Sequence, residues 1–443
     1  MFDQIFEAPM IAQILFAILL AIAGYFAWKR FAFVRRNIFL GRDFKPEGSR
    51  SERMNTMVRV ALGQGKMFTR PVAALMHVFI YVGFIIINIE LLEIVIDGLL
   101  GTHRVFASLG GFYDLLIGSF EVLALLVLVS CVVFLARRNV IKLKRFWQKE
   151  MTSWPRTDAN LILIIEILLM SAFLIMNGCD LALQKRFADH YIAAGSFPIS
   201  GIIADMFSGS SDSTLIFIER FCWWFHIVGI LFFLVYVTYS KHLHIILAFP
   251  NTWYSKMEPA GEFNNLQSVT NEVKLMLDPA AAVPPSDGTP QRFGAKDIFD
   301  LNWVNLMNAY SCTECGRCTA ECPANQTGKL LSPRKIMMDT RDRMEEVGKK
   351  MDANGGKWED DGRSLLRDYI LEEELWACTT CNACTNACPV NINPLEIIVD
   401  LRRYLIMEES KSPESITVMF NNIENNGAPW AMSATDRANW INN

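Results

Sequence analysis

The stretch 226-HIVGILFFLVYVTYSKHLH-244 is apolar enough for a bilayer, yet it carries three histidines, two of them eighteen residues apart. Read as one helix, with ~3.6 residues per turn and ~1.5 Å rise per residue, that interval is about five whole turns and roughly 27 Å. His226 and His244 are then expected on one face, near opposite sides of a hydrocarbon core ~30 Å thick. His242 falls about 200° round from His244 and reads as the solvent- or headgroup-facing residue. Whatever faces the two histidines must come from elsewhere in the chain.

The 443 residues are 52% hydrophobic and 20% charged. The first figure is high for a wholly soluble protein and the second for a wholly embedded one, so one part is expected in lipid and another in water. A net charge of −4 without a basic stripe gives no sign of nucleic-acid binding. The N-terminal MFDQIFEAPMIAQILFAILLAIAGYFAWKRF has no basic n-region and no small-x-small cleavage site. It reads as a transmembrane anchor rather than a signal peptide.

Five runs, at roughly 9–28, 72–96, 113–136, 159–178 and 215–249, are long and apolar enough to span a bilayer. Residues 29–70 hold eleven Lys/Arg against three acids and 137–158 hold seven against two, whereas 97–112 has only Arg104 and 179–214 only Lys185 and Arg186. The positive-inside bias places the first and third loops in the cytoplasm, the amino terminus outside and everything beyond 249 inside. Glu121 and Glu166, within spans, are costly unless paired or facing a cavity, and read as quinone or proton candidates. Glu90, Glu93 and Glu219 fit solvated ends at the outer interface, as His103 and His190 fit solvated outer loops. From 250 to 295 the composition turns to Pro, Gly, Ser and Asn, a linker over the membrane surface. Beyond it, SPRKIMMDTRDRMEEVGKK opens with a serine cap and a proline, and NPLEIIVDLRRYLIMEE has apolar residues at helical spacing.

Eight of the eleven cysteines fall in two groups, 312-CTECGRCTAECP-323 and 378-CTTCNACTNACP-389. Both are C-x2-C-x2-C-x3-C-P, the spacing that holds [4Fe–4S] clusters in two-cluster bacterial ferredoxins, where the fourth cysteine ligates the other cluster. Cys312, Cys315, Cys318 and Cys388 are therefore assigned to one cluster, and Cys378, Cys381, Cys384 and Cys322 to the second. Structural zinc has no use for a third C-x2 step plus C-x3-C-P, repeated, and disulfides do not suit a cytoplasmic domain. The helical stretch between the groups favours the helical dicluster domain of respiratory iron–sulfur subunits. Cys131, Cys179 and Cys222 have no partners at ligand spacing.

In a chain that already carries clusters, two histidines on one membrane face point to haem b held by axial imidazoles. A facing ligand is needed, and the second span supplies His77. His77 and His244 enter from the same cytoplasmic side at depths matching within about a turn, so they form the expected axial pair. His226 either binds a second haem or lines a quinone pocket.

The membrane half resembles the five-span cytochrome b subunit of respiratory nitrate reductase and its relatives in heterodisulfide-reductase and sulfite-reductase-associated complexes. The likeness rests on His226 followed eighteen residues on by 241-KHLH-244, and on His77. That family has another histidine ten residues beyond the His77 position; here the residue is Ile87, so the resemblance implies one haem and leaves a second open. The soluble half, through CTECGRCTAECPANQTGKLLSPRKIMMDTRDRM and NNGAPWAMSATDRANW, is similar to membrane heterodisulfide reductases and ETF:menaquinone oxidoreductases. In those relatives such a segment leads into CCG domains. The resemblance implies that the CCG unit is a separate partner subunit or is missing altogether, with electron-transfer flavoprotein or another cytoplasmic dehydrogenase as redox partner and menaquinone or ubiquinone in the membrane.

The expected fold is all-α. A five-helix transmembrane cytochrome b bundle (1–249) and the linker (250–295) precede a mainly helical dicluster ferredoxin domain (296–410) and a partner-docking tail (411–443). The expected function is an electron-transfer subunit of a quinone-linked respiratory oxidoreductase in the bacterial cytoplasmic membrane, with no catalytic nucleophile or acid/base pair of its own. A membrane-tethered iron–sulfur sensor or scaffold without haem is the alternative.

Overall fold

The computed structural model describes residues 9–187, 191–193, 195–259, 261–281 and 292–442. Among these there is no β-strand, only two isolated bridges. Five helices are long and apolar enough to cross a membrane: α1 (Pro9–Ile38), α2 (Pro71–Leu100), α3 (Gly111–Asn139), α4 (Trp154–Gln184) and α5 (Asp212–Val237). Their ends carry local signals. Pro71 and Pro155 stand in first turns, where a missing N–H costs nothing. The Ser211 hydroxyl accepts from the Thr214 amide to start α5, and Gly101, at φ 71°, closes α2.

The first compact unit comprises residues 1–36, 50–253 and 310–316. Its core lies where α3 and α4 meet, around Tyr113, Ile117, Phe120, Val127, Leu169, Met170 and Phe173. Side chains such as Ile85, Leu92, Val132, Leu168 and Phe232 point outward, as lipid-facing positions do. Gly229 of α5 makes a close approach: a Cβ there would stand 2.6 Å from Leu169 Cδ2.

The last span departs from the sequence expectation. The helix expected to run on to 249 ends at Val237, and a new helix, α6 (His244–Trp253), starts after a 3-10 turn at Lys241–Leu243. The cause comes from α4. The buried Asp158 carboxylate accepts from Tyr236 Oη (2.5 Å), Ser240 Oγ (2.7 Å) and the Lys241 amide (3.3 Å). It captures donors that a continuous helix would direct elsewhere. His226 and His244 are therefore not on one continuous helical face.

The second unit comprises 37–49, 254–309 and 317–443. Residues 37–49 join it because the Arg42 amide donates to Leu301 O, the Trp303 amide donates to Arg42 O, and Asn37 Nδ2 donates to Met344 O. The main helices are α7 (Pro333–Ala353), α8 (Pro394–Met407) and α9 (Glu414–Asn426). Ser332 caps α7 and Asn393 caps α8 through their side-chain oxygens. The fully buried Arg343 guanidinium is shared by Asp297 (2.7 Å) and Asp361 (2.6 Å), which ties α7 to the loops on either side. Within the stretch expected as linker, Gln267–Leu277 is helical, and 282–291 lie outside the described residues.

Candidate metal centres

The two cysteine groups share a backbone pattern. In the first, Glu314 and Gly316 have φ of 53° and 70°; in the second, Thr380 and Asn382, at the same two places, have 55° and 60°. Glycine and asparagine tolerate this region, but Glu314 and Thr380 adopt it at a cost. A chain alternating right- and left-handed residues turns successive N–H groups inward, a concavity suited to negative charge. Two amide–sulfur contacts fit that role: Thr380 N to Cys378 Sγ at 3.4 Å and Ile392 N to Cys388 Sγ at 3.2 Å. Such hydrogen bonds are how a protein holds and tunes cluster thiolates.

Of the eight cysteines, Cys312, Cys322, Cys384 and Cys388 are buried, Cys315, Cys318 and Cys378 half-buried, and Cys381 exposed. The turn Arg317–Glu321 packs on the turn Ala383–Ala387, bringing Cys322 within electrostatic reach of Cys378 and Cys384. Among the described residues, no three His, Cys, Asp or Glu side chains converge as ligands of a single ion would. Thiolates around a four-iron cube stand farther apart than that.

The histidines are placed by different elements. His77 lies in the second turn of α2 and His244 opens α6. Their ring centroids are 6.5 Å apart with planes inclined at 44°. An imidazole nitrogen lies about 1.1 Å from its ring centre and bonds a metal at about 2.0–2.1 Å, so two rings flanking one ion need about 6.3 Å. The pair meets that requirement. His244 Nδ1 lies 3.1 Å from Lys241 O, which as a donor contact leaves Nε2 as the nitrogen with a lone pair to offer a metal. Burial lowers the pKa of His244, and it lowers that of the neighbouring His242 to about 3, with His244 and His77 adding to the effect.

His242 is not the solvent-facing residue expected of it. It is half-buried, its ring 5.3 Å from His244 and 5.6 Å from Phe233, because the break after Val237 redirects it. His226 is 97% buried; its Nδ1 lies 3.0 Å from Leu169 O and its ring packs on Phe173.

The acids divide differently from the sequence expectation. Glu90, Glu93 and Glu219, read as solvated helix ends, are all buried. Arg104 enters from its loop and gathers neighbouring polar groups into a network. It donates to Asp180 (2.5 Å), Tyr113 Oη (3.1 Å) and Asn177 (3.4 Å), while Tyr113 donates to Glu93 at 2.9 Å. Burial works against the Arg104 guanidinium, but Asp180 and Tyr113 hold its pKa above the ordinary value. His103, expected in solvent, lies 3.4 Å from the buried Asp180; His190 is outside the described residues. Glu121 is fully buried and accepts from the amides of Ile199 (2.9 Å) and Ser200 (3.0 Å) and from Asn177. That anchors the loop before α5. Glu166 is half-buried on α4, with Cys131 in electrostatic reach.

A second polar knot was not anticipated. Lys241 Nζ pairs with the Glu314 carboxylate, donates to Pro155 O at 2.5 Å and lies 3.7 Å from Asp158. No spacing pattern marks Asp158 or Glu314, because their partners are distant in sequence.

These features define a class: a chain with five helices long and apolar enough for a membrane, carrying a dicluster iron–sulfur domain. Residues 308–392 match the 4Fe-4S dicluster domain family. Among curated relatives, "Probable iron-sulfur-binding oxidoreductase FadF" of Bacillus subtilis (strain 168) is 31% identical, over 94% of this chain and 58% of its own. The "EtfAB:quinone oxidoreductase" of Syntrophomonas wolfei is 26% identical, over 86% of this chain and 52% of its own. A CoB-CoM heterodisulfide reductase component of Methanosarcina acetivorans, named as dependent on ferredoxin and F(420)H(2), is 33% identical over 27% of this chain and 60% of its own. The chain spans about half the length of the first two. The relatives are oxidoreductases or subunits of oxidoreductase complexes. No solved structure matches the chain.

Proposed function

We propose that the protein is the membrane electron-transfer subunit of a quinone-linked oxidoreductase, relaying electrons between a cytoplasmic redox partner and membrane quinone. Two [4Fe–4S] clusters and a haem b supply the one-electron chemistry when bound. Cys312, Cys315, Cys318 and Cys388 hold one cluster and Cys378, Cys381, Cys384 and Cys322 the other; the approach of Cys322 to Cys378 and Cys384 supports that crossed arrangement. His77 and His244 would hold the haem. The observation that carries the reading is their 6.5 Å ring separation across two different helices, in a chain with a dicluster domain.

The Syntrophomonas relative, whose name joins EtfAB to quinone, supports electron-transfer flavoprotein as the partner. The heterodisulfide reductase relatives, named as subunits of larger enzymes, support a further partner subunit, for which a separate CCG-domain protein is proposed. The proposed location is the bacterial cytoplasmic membrane, amino terminus outside and iron–sulfur domain in the cytoplasm, from the basic loops. His226, Glu166 and Glu121 remain the proposed quinone or proton-handling residues. Of these, Glu121 is already engaged by two backbone amides and by the Asn177 side chain, which moves the weight to Glu166 and His226.

A visible spectrum of the detergent-purified chain tests the reading. The expected result is an α-band that appears on reduction and bleaches on adding a quinone. Iron–sulfur absorbance alone would instead favour the sensor or scaffold.

A further inference from the structure

Lys241 faces two ways. Its side chain is 92% buried and pairs with Glu314, itself 98% buried, in the loop between Cys312 and Cys315. Its main-chain oxygen lies 3.1 Å from Nδ1 of His244. Pro155 O and the Asp158 carboxylate complete the cage around its ammonium, and Asp158 also takes the Lys241 amide. One residue thus contacts both the first-cluster loop and the histidine that faces His77.

A solvated surface pair would say little, being worth about 0–1 kcal/mol and free to open. A buried pair with a third acceptor is different. Breaking it strands a charge, so it holds its two segments in one arrangement. Glu314 is also the residue that takes the left-handed conformation in its motif, at φ 53°. Its counterpart in the second motif, Thr380, has a hydroxyl that bonds to the neighbouring Thr379 carbonyl instead. The tether therefore belongs to the first cysteine group.

We propose that Lys241, through Glu314, is a positioning residue that fixes the Cys312–Cys315 loop against the turn carrying His244, making the first cluster the haem's immediate electron partner. This rests on the function proposed above and deepens it. One electron leaves the reduced cluster and reduces one ferric haem. Lys241 neither accepts nor donates it, and no proton need move. The tether's contribution is distance, because tunnelling weakens exponentially with separation.

The test uses the full chain in detergent, with reduced methyl viologen as donor and the haem α-band followed by stopped flow. Each haem reduced oxidises one viologen radical. Lys241→Met and Glu314→Gln are expected to slow haem reduction about tenfold or more, as small misplacements of reacting centres do. Iron and haem content are expected to stay at the wild-type level, and Lys241→Arg should keep most of the rate. Independently of electron flow, hydrogen exchange across residues 313–316 is expected to accelerate in Lys241→Met.

Unchanged rates in Glu314→Gln with both cofactors in place would overturn the proposal, as would unchanged exchange in Lys241→Met. Should Lys241→Met fail to accumulate, the isosteric Glu314→Gln decides alone. A wild-type chain that purifies without haem overturns the functional reading and this inference with it. A pigmented wild type with indifferent variants overturns the inference only.

Discussion

In the cysteine region, three cysteines of each group arise within seven residues of one another, and a short backbone pattern is repeated in both groups. The histidine region works the other way: His77 and His244 come from separate helices, and their separation depends on where α5 ends, which a side chain of α4 decides. Locally written ligands survive errors elsewhere in the fold, whereas ligands assembled from afar depend on every contact that sets the intervening geometry. A lesion in the bundle should therefore cost the histidine site more readily than a lesion near the thiols costs the clusters.

The largest effect is expected from removing one candidate ligand from each region. Cys384→Ala should cost about half of the bound iron, because a cube lacking a thiolate is not retained, while the reduced α-band persists. Loss of both signals together would mean the regions do not stand apart. His77→Ala should abolish the α-band and leave the iron untouched. His226→Ala is the control within the bundle. His226 stands apart from the His77–His244 pair, against Leu169 O and Phe173, so the band should survive with a stability loss of about 1–3 kcal/mol. A band that vanished in His226→Ala would move the haem from His244 to His226.

The same contrast explains what could be read from the sequence. The cluster motifs are legible because four-cysteine spacing and the following proline are local constraints. Gly316 and Asn382 even signal the left-handed positions, although Glu314 and Thr380 do not. The membrane helices are legible because apolar length is local too. The break after Val237 is not. His244–Phe249 is as apolar as what precedes it, and the cause is a carboxylate eighty residues earlier. Burial of Glu90, Glu93 and Glu219 is equally hidden, since acids near a span end look solvated until tertiary partners are known: Tyr113, itself bonded to Arg104, for Glu93, and Arg220 for Glu219. His77 could be set against His244 from depth, counted from Arg70 for the one and Pro250 for the other, although that count assumed a span running on to 249.

Asp158 offers a sharper cut, smaller than ligand loss but aimed at the geometry itself. Asp158→Ala leaves Tyr236 Oη, Ser240 Oγ and the Lys241 ammonium buried without this acceptor. At about 1–3 kcal/mol for each stranded group, and less than additive, the expected loss is about 3–5 kcal/mol. It should appear as a lower melting temperature and reduced haem occupancy at full iron content. Asp158→Asn keeps the shape and should lose about half as much. If occupancy is unchanged while the melting temperature falls, the turn does not position His244. If iron falls in step with haem, the cysteine region is no more self-sufficient than the histidine region.

The gentlest test uses pH within the cysteine region. Glu396, in the first turn of α8, has its pKa pushed up to about 7 by burial first and by the neighbouring Asp400 second, against the pull of Lys256. A carboxyl raised in the folded state favours folding fully below its unfolded pKa near 4.5, and that contribution fades as pH climbs through 7. Glu396→Gln escapes the loss, so at pH 8 the variant should be more stable by about 1–3 kcal/mol, less than the full shift implies because the α8 N-terminus favours the anion. The advantage should shrink as pH is lowered toward 5. Denaturation followed by loss of iron–sulfur absorbance, repeated across that range, measures it. An advantage independent of pH would show that packing at residue 396, not its charge, is responsible. The haem band is expected not to follow this titration.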